Sequence, residues 1–220
     1  MSKFIVLEGT DGSGKSTQLA LTCKRLDDTG ILYKRLTFPR YDNQSSALLK
    51  MYLNGDFGTD PESVNPYAAS TFFSVDRYAS FKTDWQQAYE AGIAIIADRY
   101  TTSNAIHQAS KLNGEAREAF LKWLFDFEYR LLGLPSPDRV IFLDMPSQYA
   151  LTLLEKRQGN SGDIHEKDHE YLEKCREGAL DIGRRYGWQT ISCAGERGLK
   201  TPEEINDEVY KAVCEVFLVE

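Results

Sequence analysis

The chain has 220 residues, 42% hydrophobic, 12% aromatic and 27% charged, enough apolar material to bury one substantial core and too much for a disordered chain. A formal net charge of −7 excludes a general binder of nucleic acid or anionic membrane, which needs a broad basic face to release counterions. Any phosphate site must then be a local basic pocket.

Five short apolar runs, at 4–7, 31–38, 93–97, 140–143 and 188–192, predict strands. Helical spacing between them predicts helices over 15–29, 66–91, 115–132, 148–156 and 166–186, with a last helix after Pro202. Strands alternating with crossover-length helices predict an α/β fold, a single three-layer domain over 1–220 with a five-stranded, mostly parallel sheet and helices on both faces. The polar stretch Arg157-Gln158-Gly159-Asn160-Ser161-Gly162-Asp163 interrupts two helical patterns and predicts a mobile lid at about 156–168. Cys23, Cys175, Cys193 and Cys214 form no C-x-x-C pair and read as reduced thiols. No apolar run has the length of a signal segment or a membrane span, so the expected compartment is the cytoplasm.

Ligands of open parallel sheets collect beyond the carboxyl ends of the strands. After the first strand stands Glu8-Gly9-Thr10-Asp11-Gly12-Ser13-Gly14-Lys15-Ser16-Thr17, which holds the pattern G-x-x-x-x-G-K-[ST] between a strand and a helix. Its glycines let backbone N–H groups turn around a phosphate, the helix N-terminus adds about half a positive charge, Lys15 reaches the transferring phosphate, and Ser16 is placed to ligate Mg²⁺. Gly9 through Thr17 is therefore the expected ATP site.

A phosphate loop is shared by kinases, GTPases and motor ATPases, so the acceptor side decides. Phe38-Pro39-Arg40-Tyr41 follows the second strand and Asp98-Arg99-Tyr100 the third, both at the same sheet edge. The helix from Pro66 carries Phe73 and Arg77 on one face, about 6 Å apart along its axis. That spacing suits a base, stacked on Phe73 with its edge read by Arg77, and it equally suits a core aromatic with the arginine lying along it. Further on, Ser103 and His107 share one helical face and Asn104 and Gln108 the next.

In combination these segments resemble the thymidylate kinases of the nucleoside monophosphate kinase group, over nearly the whole chain. The resemblance implies ATP-dependent phosphorylation of dTMP to dTDP, with Asp11 holding the sugar 3′-hydroxyl, Phe38-Pro39-Arg40 matching the family's F-P motif, Phe73 stacking on thymine and Arg77 reading its edge. It implies that Arg99 grips the acceptor phosphate and that Ser103 and Asn104 approach the thymine. His107 stands where the family usually has an aromatic residue. Gly12 leaves the phosphate loop without an arginine, so by resemblance the lid supplies the catalytic cation. Arg157 is the first candidate, with Lys156 and Lys167 in reserve. A homodimer is implied, with residues 120–127 as a contact helix, and backbone near 195–199 is expected beside the adenine.

A phosphate monoester has its second pKa near about 6, so the acceptor oxygen of dTMP is largely ionised at neutral pH and charge repulsion is the obstacle. Lys15, Arg99, the lid arginine and Mg²⁺ then neutralise the transferring group, with Asp98 serving Mg²⁺ through water or orienting Arg99. Two other readings compete. A deoxynucleoside kinase shares these motifs but needs a general base for a neutral hydroxyl, and a non-kinase P-loop NTPase leaves Phe73, Arg77 and Arg99 without a task.

Overall fold

The computed structural model describes residues 3–158 and 169–218. Strand β1 (Phe4–Gly9) is buried along its whole length, as a central parallel strand covered on both faces must be. β2 (Tyr33–Thr37), β3 (Ala94–Asp98), β4 (Arg139–Asp144) and β5 (Gln189–Ser192) join it in an all-parallel sheet of order β2-β3-β1-β4-β5. The register places Leu7 opposite both Asp98 of β3 and Ile141 of β4. The carboxyl ends of the three central strands therefore meet at one edge.

Side chains alternate across the sheet. Ile5 and Leu7 pack with Leu19 and Leu26 of α1 (Lys15–Thr29) and with Val209 and Val213 of α9 (Pro202–Phe217). Phe4 and Val6 point to the opposite face, against Phe81, Trp85 and Tyr100. Each fully buried aliphatic side chain in these layers contributes about 1.5–3 kcal/mol. Local chemistry sets the helix ends: α1 stops at Gly30, whose φ of 71° only glycine adopts without penalty, and α9 starts with a Thr201/Glu204 capping box and Pro202 in its first turn.

The five predicted strands and their parallel sheet are present, and several elements differ in detail. The helix expected over 66–91 is α3 (Pro66–Ser80), a π turn at Phe81–Trp85, and α4 (Gln86–Glu90). Phe81 and Trp85, four residues apart and so on one face, both reach the core. Likewise the helix expected over 115–132 is α6 (Gly114–Phe125) followed by a π turn at Asp126–Leu131, which carries Glu128 to full burial. Phe120, Leu121 and Leu124 of α6 are buried in the chain's own core, so they are not available to the contact helix expected over 120–127. Helix α2 (Ala47–Asn54) was not predicted, having only Leu49 and Tyr52 buried; nor was the antiparallel pair β6 (Ala194–Gly195) and β7 (Gly198–Leu199). α5 (Thr101–His107) carries the paired polar faces, α7 is Ser147–Gln158 and α8 is His169–Tyr186.

All four cysteines are free thiols. No helix among the described residues is long and apolar enough to cross a membrane.

Candidate active site

A cavity of about 460 Å³ opens at the carboxyl edge of the sheet, lined on one side by Asp11 to Thr17 and on the other by Phe38, Pro39, Phe73, Arg77, Arg99, Ser103, Asn104, His107 and Gln108. Residues nominated separately along the chain thus share one space.

On the loop side, Gly12 has φ 76° and a Cβ there would sit 2.4 Å from the Ala150 carbonyl oxygen of α7. No side chain fits, which gives a steric reason for the absence of a loop arginine. Lys15 is folded back on its own loop, Nζ donating to the carbonyls of Gly9 at 2.8 Å and Thr10 at 2.9 Å. Gly9 and Thr10, expected among the ATP-binding residues, do not themselves line the cavity; their carbonyls anchor the lysine instead. Burial first, and then repulsion from Arg99, lowers the Lys15 pKa to about 8.

Ser16 Oγ donates to Asp98 Oδ2 at 3.3 Å. The other oxygen, Asp98 Oδ1, is buried and has no hydrogen-bond partner among the described residues. An orphaned buried carboxylate oxygen beside a hydroxyl is a donor set suited to a hard cation.

Arg99 is the one non-glycine residue with positive φ among the described residues, at 65°, a conformation that costs about 1 kcal/mol or more unless the surroundings enforce it. Here they do so from both sides. The Arg99 N–H donates to Leu7 O at 3.1 Å, and the next N–H, of Tyr100, donates to Glu8 Oε1 at 3.1 Å. Glu8 is fully buried and also accepts from Thr102 Oγ1 at 2.7 Å and from Ser103 Oγ at 2.8 Å. Burial raises its pKa against the opposing pull of Arg99. The Arg99 side chain is ion-paired with Asp11. Burial disfavours its charge, but Asp11, Glu8 and Asp98 outweigh that and raise its pKa.

Arg99 Nη1 lies 3.3 Å from His107 Nε2. A guanidinium has only donors, so this contact requires an unprotonated Nε2; the other ring nitrogen faces Cys175 Sγ at 3.7 Å. Asn104 Nδ2 donates to Ser70 O at 3.3 Å, and Gln108 Nε2 to Tyr52 Oη at 3.4 Å. The Phe73 and Tyr52 rings stand perpendicular to each other, centroids 6.3 Å apart.

Arg40 is a correction. Its guanidinium donates to Asp84 at 2.6 Å and to Ser80 at 3.1 Å, outside the cavity, while its neighbour Tyr41 lines it. Arg77 lines the cavity but is not simply a free reader: it is buried and paired with Glu128. The 195–199 segment forms the β6–β7 hairpin and does not line the cavity. Arg157 and Lys156 belong to the last turns of α7, but their side chains, and residues 159–168 including Lys167, lie outside the described residues. Sequence reasoning missed Tyr41, Glu128 and the clamp at Glu8. The available signal for Glu128 was its spacing within the run Trp123-Leu124-Phe125-Asp126-Phe127-Glu128-Tyr129: it stands four residues after Leu124 and seven after Leu121, on the apolar face, whereas Asp126 does not.

A parallel sheet in this strand order, with a phosphate loop after β1 and a guanidinium held at the end of β3 in the same cavity, defines a P-loop phosphotransferase. The family model described as Thymidylate kinase matches residues 7–201. The chain belongs to the thymidylate kinase family. It is 30% identical to the thymidylate kinase of Mycobacterium tuberculosis over 176 residues, covering 78% of this chain and 81% of that one. It is 28% identical to the enzyme of the same name from Symbiobacterium thermophilum, covering 99% and 95% of the two chains. To a probable thymidylate kinase of Pyrococcus horikoshii it is 29% identical, with 96% and 95% covered.

Proposed function

We propose that this chain transfers the γ-phosphoryl group of ATP to the phosphate of dTMP, giving dTDP and ADP. The observation that carries the reading is the shared cavity, which Lys15, Arg99, Phe73 and Arg77 all line. Two cations in one cavity suit two phosphate-bearing substrates. Lys15 leaves its loop carbonyls for the donor phosphates, Arg99 takes the acceptor phosphate, Asp11 the sugar hydroxyl, and Phe73 the face of the base. Ser103, Asn104, His107 and Gln108 complete the acceptor wall.

The acceptor phosphate is already ionised at neutral pH, so these residues act by placing two polyanions in line and offsetting their repulsion. Removing one such cation from a closed site costs about 3–4 kcal/mol of barrier. Ser16 and Asp98 would hold Mg²⁺, which when bound withdraws charge from the phosphates. The Arg157 assignment rests on sequence resemblance, as does a homodimer, which light scattering tests.

The deciding experiment is ADP release from ATP with a panel of acceptors: dTMP, dUMP, dCMP, dGMP and thymidine. Turnover with dTMP is expected. Turnover confined to thymidine would make the chain a nucleoside kinase, and ATP hydrolysis indifferent to every acceptor would make it an NTPase.

A further inference from the structure

Glu128 contributes nothing to the walls of the cavity, yet it is fully buried and occupies both oxygens with donors from three residues on two elements. Oε1 accepts from Arg77 Nη2 at 2.5 Å, and Oε2 from Arg77 Nε at 2.7 Å and from Thr101 Oγ1 at 2.6 Å. Ser74 Oγ lies 2.8 Å from Oε1 and 2.8 Å from Ser70 O, so its single proton is divided between them. The donors come from α3 and the first residue of α5, and the carboxylate meets them from the π turn at Asp126–Leu131, on the face that also carries Leu121 and Leu124.

The pairing is side-on. It consumes the Nε and Nη2 edge of Arg77 and fixes the plane of the guanidinium. Nη1 remains, with a long bond of 3.4 Å to Tyr100 O as its hydrogen bond among the described residues. Burial opposes the charge on Arg77, and Glu128 more than restores it. A buried ion pair is often no more stabilising than well-packed apolar groups of the same volume; what this one supplies is orientation.

We propose that Glu128 is a positioning residue that fixes which edge of Arg77 is presented to the acceptor base, and thereby helps set base preference. The proposal rests on the reading of Arg77 as the residue that meets the base. The edge that Glu128 leaves unpaired offers donors only, so it favours a ring edge carrying carbonyl oxygens over one carrying an exocyclic amine. An arginine free to rotate would keep its charge but lose that distinction.

Glu128→Gln tests this without changing size. Whichever way the amide is placed, its NH₂ faces an Arg77 N–H, so one arm of the pair is lost and the guanidinium is released. The KM for dTMP is expected to rise about tenfold or more, with the KM for ATP within about twofold, and the preference for dTMP over dCMP to fall by a similar factor. A merely structural role would lower Tm while leaving both KM values, and the dTMP to dCMP ratio, in place; that result overturns the proposal.

Arg77→Met separates the two readings. If it leaves the dTMP KM unchanged, the base-reading role of Arg77 itself is wrong. If it raises that KM while Glu128→Gln does not, only the positioning role falls. Adding Glu128→Gln to Arg77→Met is expected to change the dTMP KM no further, because Glu128 acts through Arg77. Should Glu128→Gln not fold, Thr101→Val removes a single donor to the carboxylate. It is expected to raise the dTMP KM about threefold at constant ATP KM, and an unchanged dTMP KM overturns the proposal.

Discussion

The guanidinium of Arg99, at the end of β3, is ion-paired with the carboxylate of Asp11 in the phosphate loop, across 88 positions of sequence. The pair joins the donor and acceptor sides of the cavity and is partly solvent-exposed, the two side chains being 20% and 18% accessible. In the reading proposed above, the cation serves the acceptor phosphate rather than the fold. Arg99→Ala is expected to lower kcat/KM for dTMP by about 10²- to 10³-fold and to move thermal unfolding little. Steady-state kinetics with a melting curve on the same preparation checks both halves.

Lys15 has a pKa lowered to about 8. A lysine shifted downward is charged below that value and neutral above it, so the free enzyme loses its phosphate-seeking cation as pH rises through about 8. The expected outcome is a kcat/KM for ATP that falls above that pH, with the descending limb of kcat displaced upward, because bound phosphates stabilise the ammonium. Lys15→Ala should remove the limb and reduce kcat by about 10²- to 10³-fold. A pH–rate series on both proteins is the measurement.

Phe73 lines the cavity from α3. Phe73→Ala is expected to raise the KM for dTMP about tenfold while the KM for ATP stays within about twofold, since stacking acts on the acceptor alone. Parallel changes in both constants would remove Phe73 from the acceptor site.

Arg40 and Tyr41 are neighbours with opposite surroundings, one tied to Asp84 and Ser80 and the other facing the cavity. Arg40→Ala is expected to leave the dTMP KM within about twofold and to cost about 1 kcal/mol of stability at most. Tyr41→Phe, which deletes one hydroxyl, should raise that KM several-fold, by the worth of about one hydrogen bond. Acceptor titrations of the two variants side by side make the comparison.

The parts of this protein that could be read from the chain are those whose chemistry is local. The loop from Gly9 to Thr17 is legible because a strand, a glycine-rich turn and a helix start must follow one another for the backbone to cradle a phosphate. Phe73 and Arg77 are legible as a pair because four residues make about one helical turn. Which neighbour of a turn faces inward is not local: beyond Pro39, the choice between Arg40 and Tyr41 is made by Asp84 on a different element. Glu128 lies 51 positions from Arg77, and although its spacing from Leu121 and Leu124 puts it on the buried face of the helix, nothing local says that its partner is an arginine on α3. Helix α2 escaped notice because two buried residues in eight leave almost no periodicity to detect.

Glu8 is covalently joined to the first glycine of the phosphate loop, and its side chain grips the backbone and hydroxyls of residues 100–103. The phosphate loop and the Arg99 turn are therefore tied together by this carboxylate as well as by the Arg99–Asp11 pair and the Arg99 N–H bond to Leu7 O. Selection on this scaffold for a bulkier or differently charged donor cannot retune the loop alone, since a shift at β1 drags the Arg99 turn with it. Under the proposed assignment, donor and acceptor preferences are coupled traits, and variants that alter one without the other are expected at positions that Glu8 does not hold.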